Sequence, residues 1–448
     1  MPEILALLQN VAPHIEKTTF HRMSQVVLGM LVASGRITML GLSRWTEKGG
    51  SYRTLQRFYQ SVLPWSTLHW LFIRKRFLKP DDEYLIAGDE VVVSKAGTKT
   101  YGLDRFFSGL QQQVIPGLSF FTFSLVNIQE AQSYPLQTTQ MVKRAAEKAA
   151  GQAKARPVKK PGEKNKPGRP KGSKNKPKQA VVLNPELVRI QQALRTLVET
   201  VGTVLSLKYV ALDGHFGNYP SAFMVRQANL HLISKLRSDA ALYPAFAGDY
   251  RGRGPRPKYG AKLAVRQLAA PYLKETQTEG SLRTEIYQGQ FYNKEFAFAL
   301  NVVILLKTHV VTHAQAHVIL FSTDLDLAYA QIISYYSLRF QIEFNFRDAK
   351  QFWGLEDFMN VKQTAVTNAA NLSFFMVNFS YALLQPFRQT QPDFSVLDLK
   401  AQYRGYRYAR ETIKMLPQKP DAILLADLFQ HLAQLGAIHP VFHPSASP

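Results

Sequence analysis

At 448 residues the chain is long enough for two or three domains, and an apolar content of 46% excludes wholesale disorder. A net charge of +23 points to a polyanionic partner, nucleic acid ahead of a membrane surface. With no Cys there are no disulfides, thiolate metal sites or Cys nucleophiles, and no apolar run approaches the roughly 18 residues that a spanning helix requires.

Residues 1–78 read as a helical DNA-binding domain. The opening Met1-Pro-Glu-Ile-Leu5 lacks the basic region and apolar stretch of a signal peptide, so a cytoplasmic protein is expected. Apolar periodicity runs through 23–32 and again through 55–71. Between them Gly49-Gly50 turns the chain and Ser51 stands as an N-cap, placing Arg53 and Arg57 on a helix suited to meeting DNA. A small bundle with basic surface residues is the plainer alternative.

From Glu83 the pattern changes to strands, at Tyr84–Ser94 with Asp89 inside it, then at 101–107 and 118–126. Residues 143–178 differ in composition, with 14 Lys or Arg against 2 acids, and supply +12 of the net charge. They read as a flexible basic insertion within 143–180. Its Gly168-Arg169-Pro170 core resembles an AT-hook, which would lay Arg169 and Lys171 along a narrow minor groove. A generic basic linker is the alternative, and non-specific phosphate binding is expected of both. A helix over Pro185–Val201 leads into a strand at 207–212 that ends on Asp213-Gly214, presenting a carboxylate at a sheet edge. His215 next to it is either a polar turn residue or an assistant to metal or phosphate. Lys95, Lys99 and Arg105 line either a DNA channel or a solvated strand face.

Residues 225–322 read as a β-rich insertion, with strand-like runs at 283–287, 296–306 and 318–322. Helices follow at 327–352 and 364–384, and a helical C-terminal region at 387–448 is a candidate for dimerisation. There is no P-loop and no His-Glu-x-x-His.

The helix at 327–352 carries the densest pattern. Tyr336, Arg339, Glu343 and Lys350 stand at offsets 0, 3, 7 and 14, which at about 100° per residue fall within roughly 60° of one another. Phe340, Ile342, Phe344 and Phe346 lie among them. A carboxylate with fixed cations in apolar company suits a metal plus phosphates, because Glu ligates hard cations while Arg and Lys hold phosphate oxygens. Asp89 and Asp213 add two further carboxylates, and divalent ions held by shared carboxylates are the arrangement that cuts phosphodiesters. Singly, each acid has a plainer reading: Asp89 with Glu90 as a loop-facing pair, Asp213-Gly214 as a turn, Glu343 as a partner of Arg339 or Arg347.

In this order the residues resemble the DDE triad and Y-R-E-K signature of bacterial insertion-sequence transposases, specifically insertion-sequence family four, related to the transposon-five transposase. The resemblance spans about 83–386. It implies an α/β, RNase H-like mixed-sheet core over 79–224 and 323–386, interrupted by the β-rich insertion. It implies that Asp89, Asp213 and Glu343 bind two Mg²⁺ ions, with Mn²⁺ as a substitute, while Tyr336, Arg339 and Lys350 grip phosphates near the transposon end. The implied activity is cut-and-paste transposition at terminal inverted repeats, by a homodimer on paired ends of double-stranded DNA. Relatives stack a flipped base on a Trp of the insertion, but the four Trp here are at 45, 65, 70 and 353, which leaves Phe291, Tyr292 or another aromatic for that role. A host-recruited nuclease and a non-catalytic architectural DNA-binding protein are the competing readings.

Overall fold

A computed structural model describes residues 2–46, 49–109, 111–143, 181–250, 252–418 and 420–439. The basic stretch 144–180, with Arg169 and Lys171, lies outside the described residues. The strands β1 (Tyr84–Ser94), β2 (Asp104–Ser108), β3 (Gln113–Asn127), β4 (Gln132–Gln140), β5 (Tyr209–Leu212) and β6 (His231–Leu236) form half of one sheet. β1 pairs antiparallel with β3 and β3 with β4, while β1 runs parallel to β5 and β5 to β6. The resulting order β4-β3-β1-β5-β6 is consistent with an RNase H-like nuclease core.

The remaining strands extend the same sheet. β7 (Leu242–Tyr243), β8 (Leu273–Glu279), β9 (Leu282–Asn293), β10 (Ala299–His309) and β11 (Gln315–Ser322) join it through the antiparallel β11–β6 pair. β6 itself belongs to the parallel part of the sheet, so the strand system that begins near 225 is continuous with the core ladder. The apolar runs of β10 and β11 explain this: Val302 and Ile304 face one side and Val303 the other, all fully buried, so the strands need cover on both faces.

Helices supply that cover. The 26-residue helix Gln363–Arg388 is buried along most of its length, with Phe374, Phe375 and Phe379 in the main core. Several of its buried polar side chains donate to carbonyls: Asn378 Nδ2 donates to Pro135 O at 2.7 Å and Ser373 Oγ to Trp353 O at 2.8 Å. Asn368 ties in the N-terminal helices, accepting from Trp65 Nε1 at 2.8 Å and donating to the carbonyls of Tyr59 and Ser61. The 55–71 periodicity is divided between two helices, Tyr52–Gln60 and Trp65–Arg76, because Pro64 stands between them. Ser51 caps the first as expected, its side chain accepting from the Thr54 amide. The opposite face of the sheet is covered by the helix Tyr329–Leu338, through Ile332 and Tyr335.

The expected single helix over 327–352 is two helices, Tyr329–Leu338 and Gln341–Gln351. At the junction Phe340, Ile342 and Glu343 donate their amides to residues three back, Ser337, Arg339 and Phe340, instead of four. That tightened turn re-aims the second helix, so the four signature residues do not share one straight helical face. β4 was not anticipated, since Gln132–Gln140 contains a Pro and six Gln, Ser or Thr residues that mask its edge-strand pattern.

Gly117 sits where three strands meet, opposite Ser94 of β1 on one side and Asp104 of β2 on the other. A Cβ there would stand 2.4 Å from the Val93 carbonyl oxygen. Gly117→Ala should therefore cost about 1–3 kcal/mol through forced strand displacement, read as a lower midpoint in urea unfolding; an unchanged midpoint would show that this junction is loose.

Candidate active site

Alternation along β1 places Asp89. Leu85 and Ala87 face the helix Tyr329–Leu338 and are fully buried beneath it with Ile332 and Tyr335, so Asp89, two residues on, emerges on that face at the end of the helix. Ala211 of β5 lies in the same cluster. The parallel ladder pairs Ala87 with Ala211 and Gly88 with Leu212, and the next step along it sets Asp89 abreast of Asp213. Asp213 is held locally: its Oδ1 accepts the His215 amide at 3.1 Å and its carbonyl accepts from Ser234 Oγ at 2.7 Å.

Glu343 approaches from the first turn of the helix Gln341–Gln351. Arg339, in the tight turn between the two helices, joins the groups. Its Nη1 lies 2.6 Å from Asp89 Oδ2 and its Nη2 3.5 Å from Glu343 Oε1. The Arg339 and Asp89 side chains are 12% and 18% exposed, so this ion pair is largely shielded from water. Burial pushes the Asp89 carboxyl up to about 6; Arg339 pulls it down, and the charges of Asp213 and Glu343 push it further up. Asp89 thus senses both other carboxylates, with a guanidinium bridging it to Glu343. Among the described residues no three of His, Asp and Glu close into a set spaced to hold an ion.

Glu343 is partly open to solvent, with 45% of its side chain exposed. Of the apolar side chains around it, Ile342 and Phe346 are buried, whereas Phe340 and Phe344 are partly exposed and pack edge to face with each other at 5.5 Å. The tightened turn turns Glu343 and Phe344 outward together.

The other signature residues lie close by. The Tyr336 ring is 5.8 Å from the Arg339 guanidinium, and burial raises its hydroxyl pKa. Lys350 Nζ donates to the Val92 carbonyl of β1 at 3.0 Å and pairs with Glu356 at 3.0 Å. Arg53 and Arg57 are exposed on the helix Tyr52–Gln60. Lys95 is committed elsewhere, donating to the carbonyls of Glu356 and Phe358 at 2.8 Å each. Lys99 is exposed, as is Arg105 on β2. Phe291 is buried against Tyr272, ring centroids 5.0 Å apart, so no base can reach it, while Tyr292 is half-buried beneath Lys258.

Asp89 and Asp213 line an open cleft of about 840 Å³ together with Glu90, Arg105, Phe107, Lys143, Glu186 and His215. Sequence reasoning did not single out Glu90, Phe107, Lys143 or Glu186. Glu90 accepts from Ser119 Oγ, and burial raises its carboxyl pKa with Glu186 adding to the shift. Only the neighbour relation Asp89-Glu90 could have pointed to it.

Residues 10–290 match the profile of the family described as DDE superfamily endonuclease. The chain belongs to this family. The matched span includes Asp89 and Asp213 and ends before Glu343. Membership makes the protein a transposase-like nuclease whose substrate is DNA. No curated protein matches the chain. No described helix of the endonuclease is long and apolar enough to cross a membrane.

The upward shift of Asp89 has a definite sign. An unfolded carboxylate titrates near 3.9, so the folded endonuclease binds more protons than the unfolded chain between that value and about 6, and loses stability as pH rises through that window. Asp89→Asn, which mimics the neutral acid, should unfold about 1–3 kcal/mol later than the parent at pH 7.5 in EDTA and equally at pH 3.5. Parallel denaturation curves at the two pH values would check this, and a gain that persists at pH 3.5 would exclude the carboxylate charge as its origin.

Proposed function

We propose that the endonuclease is a transposase of the insertion-sequence family four type, which excises its element and joins it to target DNA at terminal inverted repeats. The observation that carries this reading is the β1–β5 ladder, which sets Asp89 beside Asp213 with Glu343 tied to the pair through Arg339.

The chemistry of the donor set, rather than its spacing, suits a divalent cation. The set consists of hard carboxylate oxygens, burial raises Asp89 with Asp213 and Glu343 adding to the shift, and a cationic guanidinium lies between Asp89 and Glu343. Asp89, Asp213 and Glu343 would hold two Mg²⁺ ions, which supply Lewis-acid chemistry to the attacking oxygen and the leaving oxygen of a phosphodiester. The protein's own residues do the rest. Arg339 and Lys350 bind phosphate oxygens beside the scissile bond, with the Tyr336 hydroxyl as a further donor. Arg53 and Arg57 position the duplex through its backbone, and Arg169 and Lys171 add attraction independent of sequence. Paired ends call for a second copy of the chain, and the exposure of Met415, Ile423 and Leu424 in the C-terminal helices supports such a contact.

Incubated with Mg²⁺ and DNA carrying the element's own ends, the purified protein should cut at those ends. Asp89→Ala, Asp213→Ala and Glu343→Gln should each slow cleavage by about 1000-fold or more while DNA binding persists. Cleavage that survives all three substitutions would remove these acids from the chemistry. Separately, Arg53→Ala or Arg57→Ala should lower the slope of log affinity against log salt by about 1, measured by fluorescence anisotropy on duplex DNA. A slope that does not move would place that helix away from the backbone.

A further inference from the structure

The turn that follows the helix Gln341–Gln351 has no part in the function described so far. It is anchored along its length. Trp353 and Leu355 are fully buried. Gly354 adopts φ +75° and lies so close to the N-terminal region that a Cβ there would stand 2.4 Å from Ile37 Cβ. Asp357 Oδ2 accepts the Ile37 amide at 2.8 Å, and its Oδ1 pairs with Arg36 at 3.3 Å. Lys95, next after β1 and 3.7 Å above the Phe358 ring, donates to the carbonyls of Glu356 and Phe358. The backbone on which Glu356 stands is therefore fixed by the core, by the N-terminal region and by the end of β1.

Glu356 carries that rigidity to Lys350. Its Oε1 lies 3.0 Å from Lys350 Nζ, which also donates to the Val92 carbonyl at 3.0 Å. A lysine head on four flexible carbons loses much rotamer freedom when it is held in one place. The ammonium has three N–H groups, and the carbonyl and the carboxylate engage two directions, which leaves the third for a phosphate oxygen. Val92 lies three residues beyond Asp89 on β1, about 10 Å at strand spacing. The phosphate that Lys350 reaches thus lies within about three nucleotides of the cut, at about 3.4 Å per step. A carboxylate beside that phosphate also repels it. With 44% of the Glu356 side chain exposed, water and salt screen most of this repulsion, so the fixed placement of the ammonium outweighs it.

We propose that Glu356 is a positioning residue, which holds the Lys350 ammonium against the Val92 carbonyl at the place where that group meets a phosphate of the strand being cut. This deepens the reading of the site and rests on Lys350 being a phosphate contact. The acid acts only through Lys350.

The test uses the full chain and a duplex carrying the element's own ends, with affinity measured by anisotropy in EDTA across a salt series. Lys350→Ala should lower the slope of log affinity against log salt by about 1, the loss of one phosphate contact. Glu356→Ala should lower it by the same amount, and the double variant should lower it no further. Glu356→Gln, which keeps an acceptor oxygen at similar reach, should return the parent's slope. In Mg²⁺, Glu356→Ala should slow cleavage of bound DNA by about 10- to 100-fold, the cost of misplacing a group beside the scissile bond, and Glu356→Gln should restore the rate. Because Glu356 is half-exposed, the variants should keep the parent's circular dichroism. A parent-like slope in Glu356→Ala would overturn the assignment. Additive losses in the double variant would do the same, as would tighter binding by Glu356→Ala and Glu356→Gln alike, which would make Glu356 only a repulsive charge. An unchanged slope in Lys350→Ala would remove both the assignment and the phosphate contact beneath it. A protein that shows the coupled slopes but never cuts its ends would keep the positioning role and sink the transposase reading.

Discussion

The parallel ladder between β1 and β5 is only three residue pairs long, from Ile86–Val210 to Gly88–Leu212, and it decides where two carboxylates meet. Both strands are buried on both faces up to that point, so their register is set by side-chain packing and cannot slip by one residue without turning Asp89 and Asp213 into the core. Gly88 allows the close approach: a Cβ there would lie 2.7 Å from Leu212 Cδ2 and 2.9 Å from the Phe123 ring. The sheet therefore buries Asp89 beside a like charge at a cost that packing elsewhere must cover, and burial first, then Asp213 and Glu343, push its carboxyl up.

Arg339 offsets part of it. Its place in the tight turn after Leu338 lets one guanidinium reach Asp89 on the sheet and Glu343 on the next helix. A continuous helix would have carried Glu343 along the first helix axis, with Arg339 as an ordinary i,i+4 partner. The break is thus what links the helical carboxylate to the strand carboxylates. It also leaves Glu343 half-exposed, in contrast to the shielded Asp89, so the two acids enter the site with different solvation.

Much of this was legible before folding. A strand-like pattern marked β1, with its bounds Tyr84–Ser94, and the helix Pro185–Val201 was anticipated at its observed bounds. Asp89 and Asp213 stood out as acids attached to apolar strands, which is unusual enough to register locally. The break at Arg339–Phe340 did not, because neither Gly nor Pro occurs there and local periodicity continues across it. β4 escaped because an edge strand needs no alternating pattern once a helix covers it. The exposure of Phe107 and the burial of Phe291 were equally hidden, since a Phe in a strand looks the same on either face.

By itself the sequence determined the element types, the polyanion preference and the residue types able to bind metal and phosphate, because these follow from composition, period and the chemistry of single side chains. The tertiary structure decided which of those residues meet. Asp89 and Asp213 are 124 positions apart, and only strand register makes them neighbours. Arg339 and Asp89 pair because a turn three residues long re-aims a helix. Whether an aromatic stays exposed or fills the core depends on which face of the sheet another element covers, a long-range packing outcome that no local pattern records.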